Sequence, residues 1–441
     1  MAKKTTTSLP RLDLRSLPGP DNITRVTLDN GITVLARENF HSPAVVLDGA
    51  LQAGSIYEGR SKAGLASFTA SALMRGAANY SFEEIYERIE PIGAHLSTGS
   101  GTHTAGFDGK SLAEDLETLL ELAADVLRRP TFPEDHIERL RGEYLTGLAM
   151  RAHDTRAMAG LTFYETLYGD DHPYGYSGSG YPDTVQAITR DDIVAFHRRH
   201  YGPRGMLVVI VGAVAAQEAV ALVEKYFGDW RQPDQPERAA VPAVEPPAEV
   251  TRRMIPLAGK TQSDLVLGFL GPARADADFQ AARLANSILG VFGMMGRLGD
   301  NVRNKQGLAY YSYSGLESRF GRGAWRLIAG VNPANVERAV EGMLAEVRRM
   351  VTRKVTAAEL ADNKAFMLGR IPLQLETNEG VAGTIANMEQ HALGLDYLQR
   401  LPDQIASISR DDLLAAAQNY LDPDRYVLSI AGPEAITHIS H

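Results

Sequence analysis

An arginine and a tyrosine, Arg303 and Tyr310, stand seven residues apart in the second half of the chain. The segment Gly307-Leu308-Ala309 between them predicts a tight entry into a strand that begins at Tyr310. A guanidinium carries several fixed N–H donors, and a phenol O–H can stabilise a developing oxyanion. By residue type alone, a surface arginine and a strand tyrosine that anchor the loop remain the simpler interpretation.

Two histidines, His197 and His200, have the i, i+3 spacing that could hold a metal on a helix, with Asp192 nearby. Arg198 and Arg199 lie between them and would repel a cation. We therefore interpret this segment as a solvated helix end.

A helix is predicted between Gly64 and Gly76, and its two faces differ in chemistry. One face forms an apolar stripe at helical spacing, which predicts burial; its members are Leu65, Phe68, Ala72 and Leu73. The other face carries no group that titrates near neutral pH, and it consists of Ser67, Ala70, Ser71 and Met74.

The elements around these residues form an internal repeat. Thr189 to Gly212 reads as a capped helix, a strand and a glycine, and Ser409 to Gly432 has the same order. A period this long excludes a solenoid and predicts two related domains. The expected fold is α+β: two homologous domains, each a mostly antiparallel sheet with helices on one face, joined by a proline-rich linker. The predicted bounds are a disordered leader at 1–20, an N-terminal domain at 21–230, a linker at 231–250 and a C-terminal domain at 251–441.

Composition limits the class of protein. The chain has 441 residues, a net charge of −9 and no cysteine. The acidic balance argues against binding to nucleic acid, and the missing cysteines exclude disulfides and thiolate chemistry. No apolar run reaches the roughly 18–20 residues that span a bilayer, so we expect no membrane insertion. The basic start lacks the apolar core of a secretion signal, so the default expectation is a cytoplasmic location.

Several motifs in a fixed order resemble the pitrilysin/insulinase family of metallopeptidases, the inverse zincins. The resemblance runs from Asp29-Asn30-Gly31 to Gly432 and includes the Gly64–Gly76 helix and His172-Pro173-Tyr174-Gly175. In that family an H-x-x-E-H helix binds zinc and activates water. The matching positions here are Ser67, Ala70 and Ser71.

The family's third zinc ligand is a Glu on a later helix, and it should fall near Thr146 and Gly147. Glu143 is the nearest acid, about one helical turn away. Hydroxyls and an alanine cannot replace two imidazoles and a general base. We therefore predict no catalytic residue, no metal ligand and no cofactor in this chain.

One branch of the family, resembling mitochondrial processing peptidase, builds its enzyme from two similar chains, of which one has lost H-x-x-E-H. The resemblance implies that this chain is the non-catalytic subunit, that a homologous H-x-x-E-H subunit holds the zinc, and that an extended peptide is the substrate. In the family, an Arg and a Tyr at the spacing of Arg303 and Tyr310 bind the peptide backbone near the scissile bond.

Two alternatives remain open. Some relatives are structural core subunits of respiratory complexes and cleave nothing, although a scaffold would not need Arg303 and Tyr310. A stand-alone hydrolase could use other residues, such as His103, Asp108 or His172, but no spacing marks these three as a set.

Overall fold

The computed structural model describes residues 9–10 and 12–434, and it contains two β-sheets, each flanked by helices. The first sheet has six strands in the spatial order β1-β2-β6-β3-β5-β4. These strands are β1 (Thr24–Thr27), β2 (Thr33–Glu38), β3 (Ala44–Leu51), β4 (His95–Ser100), β5 (Ala105–Leu112) and β6 (Leu207–Gly212). All neighbouring pairs are antiparallel except β2 and β6, which run parallel.

The second sheet has five strands in the order β7-β11-β8-β10-β9. These strands are β7 (Thr251–Pro256), β8 (Ser263–Leu270), β9 (Ala309–Leu316), β10 (Ala324–Val331) and β11 (Val427–Gly432). Only β7 and β11 are parallel. Strand by strand this order matches β2-β6-β3-β5-β4, which confirms the α+β class and the internal repeat.

The helices repeat in the same way. Those of the first half are α1 (Leu65–Ala72), α2 (Phe82–Ile89), α3 (Leu116–Arg128), α4 (Glu134–Ala152), α5 (Thr155–Tyr168), α6 (Pro182–Ala187), α7 (Arg190–His200) and α8 (Ala216–Phe227). Those of the second half are α9 (Phe279–Gly290), α10 (Phe292–Leu298), α11 (Val336–Thr352), α12 (Ala357–Gln374), α13 (Asn378–Gln390), α14 (Tyr397–Ser407) and α15 (Arg410–Tyr420). The corresponding helices α7 and α15 both begin with a capping box, at Thr189 and Ser409.

Each half contributes one helix to the other half's sheet. Along β6, Val208 and Ile210 pack with the helices of the first half, while Val209 packs into a core that includes Ile385 of α13. Successive strand residues point to opposite faces, so α13 covers the second face of the first sheet. The reciprocal helix α5 places Phe163 against Gly268 of β8. The sequence predicted helices on one face of each sheet. It did not predict that a helix from the other half, α13 or α5, also packs on each sheet.

Residues 231–250 contain no helix or strand, and they contact both halves. The amide of Ala239 donates to the Tyr57 hydroxyl at 3.1 Å, and the Arg238 guanidinium lies 3.7 Å from the ring centre of Phe320. The predicted domain bounds stay predictions. Of the predicted leader, residues 1–8 and 11 lie outside the described residues, whereas Leu17 is buried in the core of the second half. Among the described helices none is both long and apolar enough to cross a membrane.

Candidate functional site

A buried carboxylate fixes the start of α1. The Glu58 side chain is 6% exposed and accepts hydrogen bonds from the backbone amides of Gly64 and Ala66, at 2.8 and 2.6 Å. These amides lie at the N-terminus of a helix, where four N–H groups lack helical partners. Burial raises the pKa of Glu58 to about 8, although the amide hydrogen bonds act to lower it. Tyr176 secures the preceding turn by donating to the carbonyl of Glu58 at 2.7 Å.

The face of α1 that corresponds to H-x-x-E-H is a neutral hydroxyl cluster. The Tyr144 hydroxyl, on α4, lies 3.0 Å from the Ser67 hydroxyl and 2.8 Å from the Ser71 hydroxyl. Ala70 is fully buried, and its carbonyl accepts a hydrogen bond from Thr98 on β4 at 2.7 Å. The three hydroxyls of Ser67, Ser71 and Tyr144 therefore satisfy one another without a metal.

The position of the third ligand carries no group that binds zinc. A side chain at Gly147 would meet open space, and the Thr146 hydroxyl donates to the carbonyl of Gly142 at 2.8 Å. The nearby acid Glu143 forms an ion pair with Arg75 at 3.0 Å. Within the described residues there is no group of three or more His, Asp or Glu side chains that could hold a metal ion. The residues present at this face do not fit zinc.

Arg303 and Tyr310 lie at the two ends of one well-anchored loop. Arg303 belongs to a π-helical turn, Gly299–Lys305, and Tyr310 lies near the start of the edge strand β9. The Leu308 amide donates to the Val302 carbonyl at 3.0 Å, and both of these side chains are buried. Buried apolar anchors of this kind fix the backbone on either side of the exposed residues.

The two side chains themselves are free. Tyr310 is 79% exposed, and Arg303 is partly exposed. Within the described part of the chain, neither the guanidinium nor the phenol hydroxyl makes a hydrogen bond or an ion pair. Both donors are therefore available to a ligand.

A tight glycine-containing turn precedes this loop. Gly293, Met295 and Gly296 all have positive φ values, of 63°, 76° and 61°, inside the segment α10. A side chain on Gly296 would come within 2.6 Å of the Ile288 carbonyl, so only glycine fits there.

The residues considered for a stand-alone hydrolase do not form a set. His103 and His172 both contact Tyr174: a hydrogen bond of 2.7 Å joins His103 Nε2 to the tyrosine hydroxyl, and the tyrosine amide donates to His172 Nδ1 at 3.0 Å. Burial, together with the positive charges of Arg238 and Arg319, lowers the pKa of His103 to about 4. Asp108 lies along β5, where it accepts a hydrogen bond from Ser97 at 2.6 Å. Both histidines instead hold the segment after α5 in place. His103 bonds to Tyr174 of that segment, and His172 Nε2 donates to the Pro242 carbonyl, within residues 231–250, at 3.1 Å.

The interpretation of His197 and His200 as a solvated helix end is wrong. His200 is only 7% exposed, and His197 Nε2 donates to the Leu127 carbonyl at 2.9 Å. The His197 ring stacks on Tyr201 at 4.7 Å between ring centres. Burial lowers the pKa of both histidines to about 4, so both are neutral packing residues.

Sequence reasoning missed Glu58 and Tyr144. Glu58 stands in a short segment with no periodicity, and Tyr144 lies two residues before the predicted position of the third ligand, with no motif to mark it. A buried glutamate six residues ahead of Gly64 gives no local signal, because its role depends on a turn that brings it back to the helix.

The comparisons with known families agree with this architecture. The family model described as "Insulinase (Peptidase family M16)" matches residues 34–160. The model described as "Peptidase M16 inactive domain" matches residues 187–367. The second match begins in the first half of the repeat, ahead of α7, and ends within α12 of the second half.

Similar proteins are bacterial. An uncharacterised zinc protease of Mycobacterium leprae is 28% identical over 94% of this chain and 92% of its own length. The uncharacterised zinc protease YmxG of Bacillus subtilis is 23% identical over 93% of this chain and 98% of its own length. The crystal structure of a peptidase M16 inactive domain from Pseudomonas fluorescens has a TM-score of 0.84 at 27% identity, over 93% of this chain and 98% of that one. A protease structure from Helicobacter pylori shares the fold, with a TM-score of 0.85 at 22% identity, over 93% and 99% of the two chains. By its two family matches and by this fold, the chain belongs to the insulinase family of peptidases, family M16.

Proposed function

We propose that this chain is the non-catalytic, substrate-binding subunit of a heterodimeric zinc peptidase. The observation that carries the proposal is the contrast between two places in one fold. The face of α1 is filled by mutually bonded hydroxyls, whereas Arg303 and Tyr310 are held in position and left free. A homologous subunit with an intact H-x-x-E-H helix supplies the zinc and the general base.

Arg303 and Tyr310 act on the peptide rather than on the metal. The guanidinium offers a fixed set of donors to backbone carbonyls of an extended peptide. The Tyr310 hydroxyl donates to the oxyanion that forms when water attacks the scissile carbonyl at the partner's site. The rigid anchors at Val302 and Leu308 support this role, because donors that stabilise a transition state must be positioned beforehand.

The substrate itself can extend a sheet. Among the described strands, β4 pairs only with β5, so one of its edges carries unpaired backbone groups, and it lies beside α1. An extended peptide can add to such an edge through main-chain hydrogen bonds. The open edge supports an extended peptide as substrate.

The test combines this chain with an H-x-x-E-H chain encoded in the same genome. Sedimentation measures whether a complex forms, and a fluorogenic peptide measures kcat/KM. We expect cleavage by the mixture alone, and a loss of about 100-fold or more in kcat/KM for Arg303→Ala or Tyr310→Phe. Lys305→Ala is the control, because it removes an exposed cation from the same loop.

Two results would contradict the proposal. Unchanged kcat/KM in both variants would remove the substrate role of the pair. Turnover with stoichiometric zinc in the isolated chain would show a stand-alone enzyme. A complex that forms but cleaves no peptide favours the structural-subunit alternative.

A further inference from the structure

The second half of the chain contains a large cavity that the proposed function does not use. Its volume is about 810 Å³, and helices α9, α12, α13 and α14 enclose it. Three arginines line it, Arg274, Arg283 and Arg370. Among the described residues that line it there is no aspartate or glutamate. The cavity is therefore cationic.

Elsewhere in the chain, well-buried arginines are paired with acids. Arg297 forms two hydrogen bonds with Glu359, at 2.7 and 2.9 Å, and Arg141 bonds to Glu138 at 2.9 Å. Such pairing offsets the loss of hydration that a buried charge suffers. Arg274, which is 8% exposed, departs from this pattern, whereas the side chains of Arg283 and Arg370 are exposed and accessible to a ligand.

The three guanidinium groups of the cavity have neutral neighbours. Arg274 donates to the Tyr397 hydroxyl at 2.9 Å, and the Arg370 guanidinium lies 5.4 Å from the ring centre of Phe366. Arg283 has no hydrogen bond or ion pair within the described part of the chain. The pKa of Arg283 is lowered, chiefly because its guanidinium partly loses contact with water. Tyr397 acts to raise this pKa, whereas the positive charges of Arg274 and Arg370 lower it. An anion placed among them would relieve this repulsion.

The other walls favour an organic ligand. Phe279, Phe366 and Leu398 supply apolar surface beside the arginines. Asn286 and Ser287 are fixed by hydrogen bonds of 2.7 Å to Ser314 and Asn363, so the polar wall is preformed. A site with apolar walls and a few placed polar groups is typical of small-molecule binding.

The position of the cavity in the repeat is informative. Helix α9 follows β8 as α1 follows β3, and α12 corresponds to α4. In the first half, α1 faces α4 through Ser67, Ser71 and Tyr144. In the second half, α9 faces α12 with Arg283 and Ser287 at the same i, i+4 spacing. The cavity thus lies between the two helices of the second half that correspond in order to α1 and α4.

We propose that this cavity binds a small organic anion, whose phosphate or carboxylate group is held by Arg283 and Arg370 and whose apolar part packs against Phe279 and Phe366. The site is separate from the peptide-binding role of Arg303 and Tyr310. Its test needs only the isolated full chain, so it does not depend on the proposed function.

Isothermal titration calorimetry tests the site with phenyl phosphate, octanoate and the neutral benzyl alcohol. We expect one molecule of phenyl phosphate or octanoate per chain, with Kd below about 1 mM, and no binding of benzyl alcohol. The tighter of the two anions identifies the preferred head group. Arg283→Gln and Arg370→Gln should each weaken binding by about 10-fold or more.

Arg338→Gln is the matched control, because it removes an exposed arginine from α11 outside the cavity. It should leave Kd unchanged. Circular dichroism establishes that each variant is folded, and removal of an unpaired cation should not lower the melting temperature. The proposal is overturned if neither anion binds below about 10 mM, or if the Arg283→Gln/Arg370→Gln double variant binds as tightly as the natural chain.

Discussion

Glu58 should make a contribution to the stability of the chain that falls as pH rises from 5 to 8. Its pKa is about 8 in the folded chain, against an ordinary value of 4.5. Between these values the folded chain keeps a proton that the unfolded chain has lost. The stabilisation is therefore complete below pH 4.5 and disappears as pH rises through 8. The difference between the two pKa values corresponds to roughly 5 kcal/mol at about 1.4 kcal/mol per pH unit.

Glu58→Gln should remove this pH dependence. The amide cannot titrate, so the difference in unfolding free energy between the natural chain and the variant should change by several kcal/mol between pH 5 and 8. At pH 5 the variant should be the less stable, because an amide presents one acceptor and one NH₂ group to the Gly64 and Ala66 amides. An N–H left without an acceptor costs about 1–3 kcal/mol.

Urea denaturation followed by circular dichroism at pH 5, 6, 7 and 8 measures both effects. Glu87→Gln is the control, since Glu87 is exposed on α2 and lies away from α1. Its midpoints should follow those of the natural chain at each pH. Parallel midpoints for Glu58→Gln and the natural chain across this range would refute the raised pKa, and with it the account of how α1 begins.

Two further predictions concern hydrogen-bonded groups. Tyr144→Phe should destabilise the chain by about 1–2 kcal/mol, because Ser67 and Ser71 lose a shared partner. Urea denaturation measures the free energy of unfolding of each variant. If the effects of Tyr144→Phe and Ser71→Ala are additive, the hydroxyls do not act as a unit. Burial acts to raise the pKa of Glu359, but hydrogen bonds, the strongest of them from Arg297, lower it to about 2. The stabilisation that Glu359 contributes is therefore present above pH 4.5 and is lost as pH falls towards 2. Arg297→Gln should reduce that acid-dependent loss, because only the hydrogen bonds from Thr356 then remain, and an unchanged acid profile in this variant would contradict the assignment.

Much of the fold could be predicted because its signals are local. Strand β3, Ala44–Leu51, consists mostly of apolar residues, and the turn at Asn30-Gly31 joins β1 and β2 into a hairpin. The capping box of Ser81 and Glu84 is present, with a hydrogen bond of 2.8 Å from the Ser81 amide to the Glu84 carboxylate. In each case a few consecutive residues determine the geometry.

The features that could not be predicted depend on contacts between distant segments. Helix α5 follows α4 in the sequence, yet it packs on β8 and β11 of the second sheet. An apolar stripe reports that a helix face is buried and does not report which sheet buries it. The same limit applies to His197 and His200, whose neighbours Leu127 and Tyr57 lie far away in the sequence.

The candidate functional residues also divide into those that a local pattern predicts and those that only the fold brings together. The spacing of Ser67, Ala70 and Ser71 was sufficient to place them on one face of α1, and the structure confirms that placement. Arg303 and Tyr310 were identified by their order in the chain, and their substrate role stays a prediction. The cationic cavity had no signal, because Arg283 and Arg370 come from different helices and no motif links them.

The hydroxyl cluster explains how α1 persists without zinc. A metal site that merely lost its ligands would leave half-buried polar groups without partners, and each would destabilise the helix. Here the replacements satisfy one another: two serines share the Tyr144 hydroxyl, and Glu143 pairs with Arg75. The start of the helix depends on Glu58, which bonds to the backbone amides of Gly64 and Ala66 and not to the side chains of the hydroxyl cluster. The fold of this half therefore does not depend on a metal bound at these residues, and the proposed role beside a partner subunit requires only that the chain keep a rigid wall beside β4.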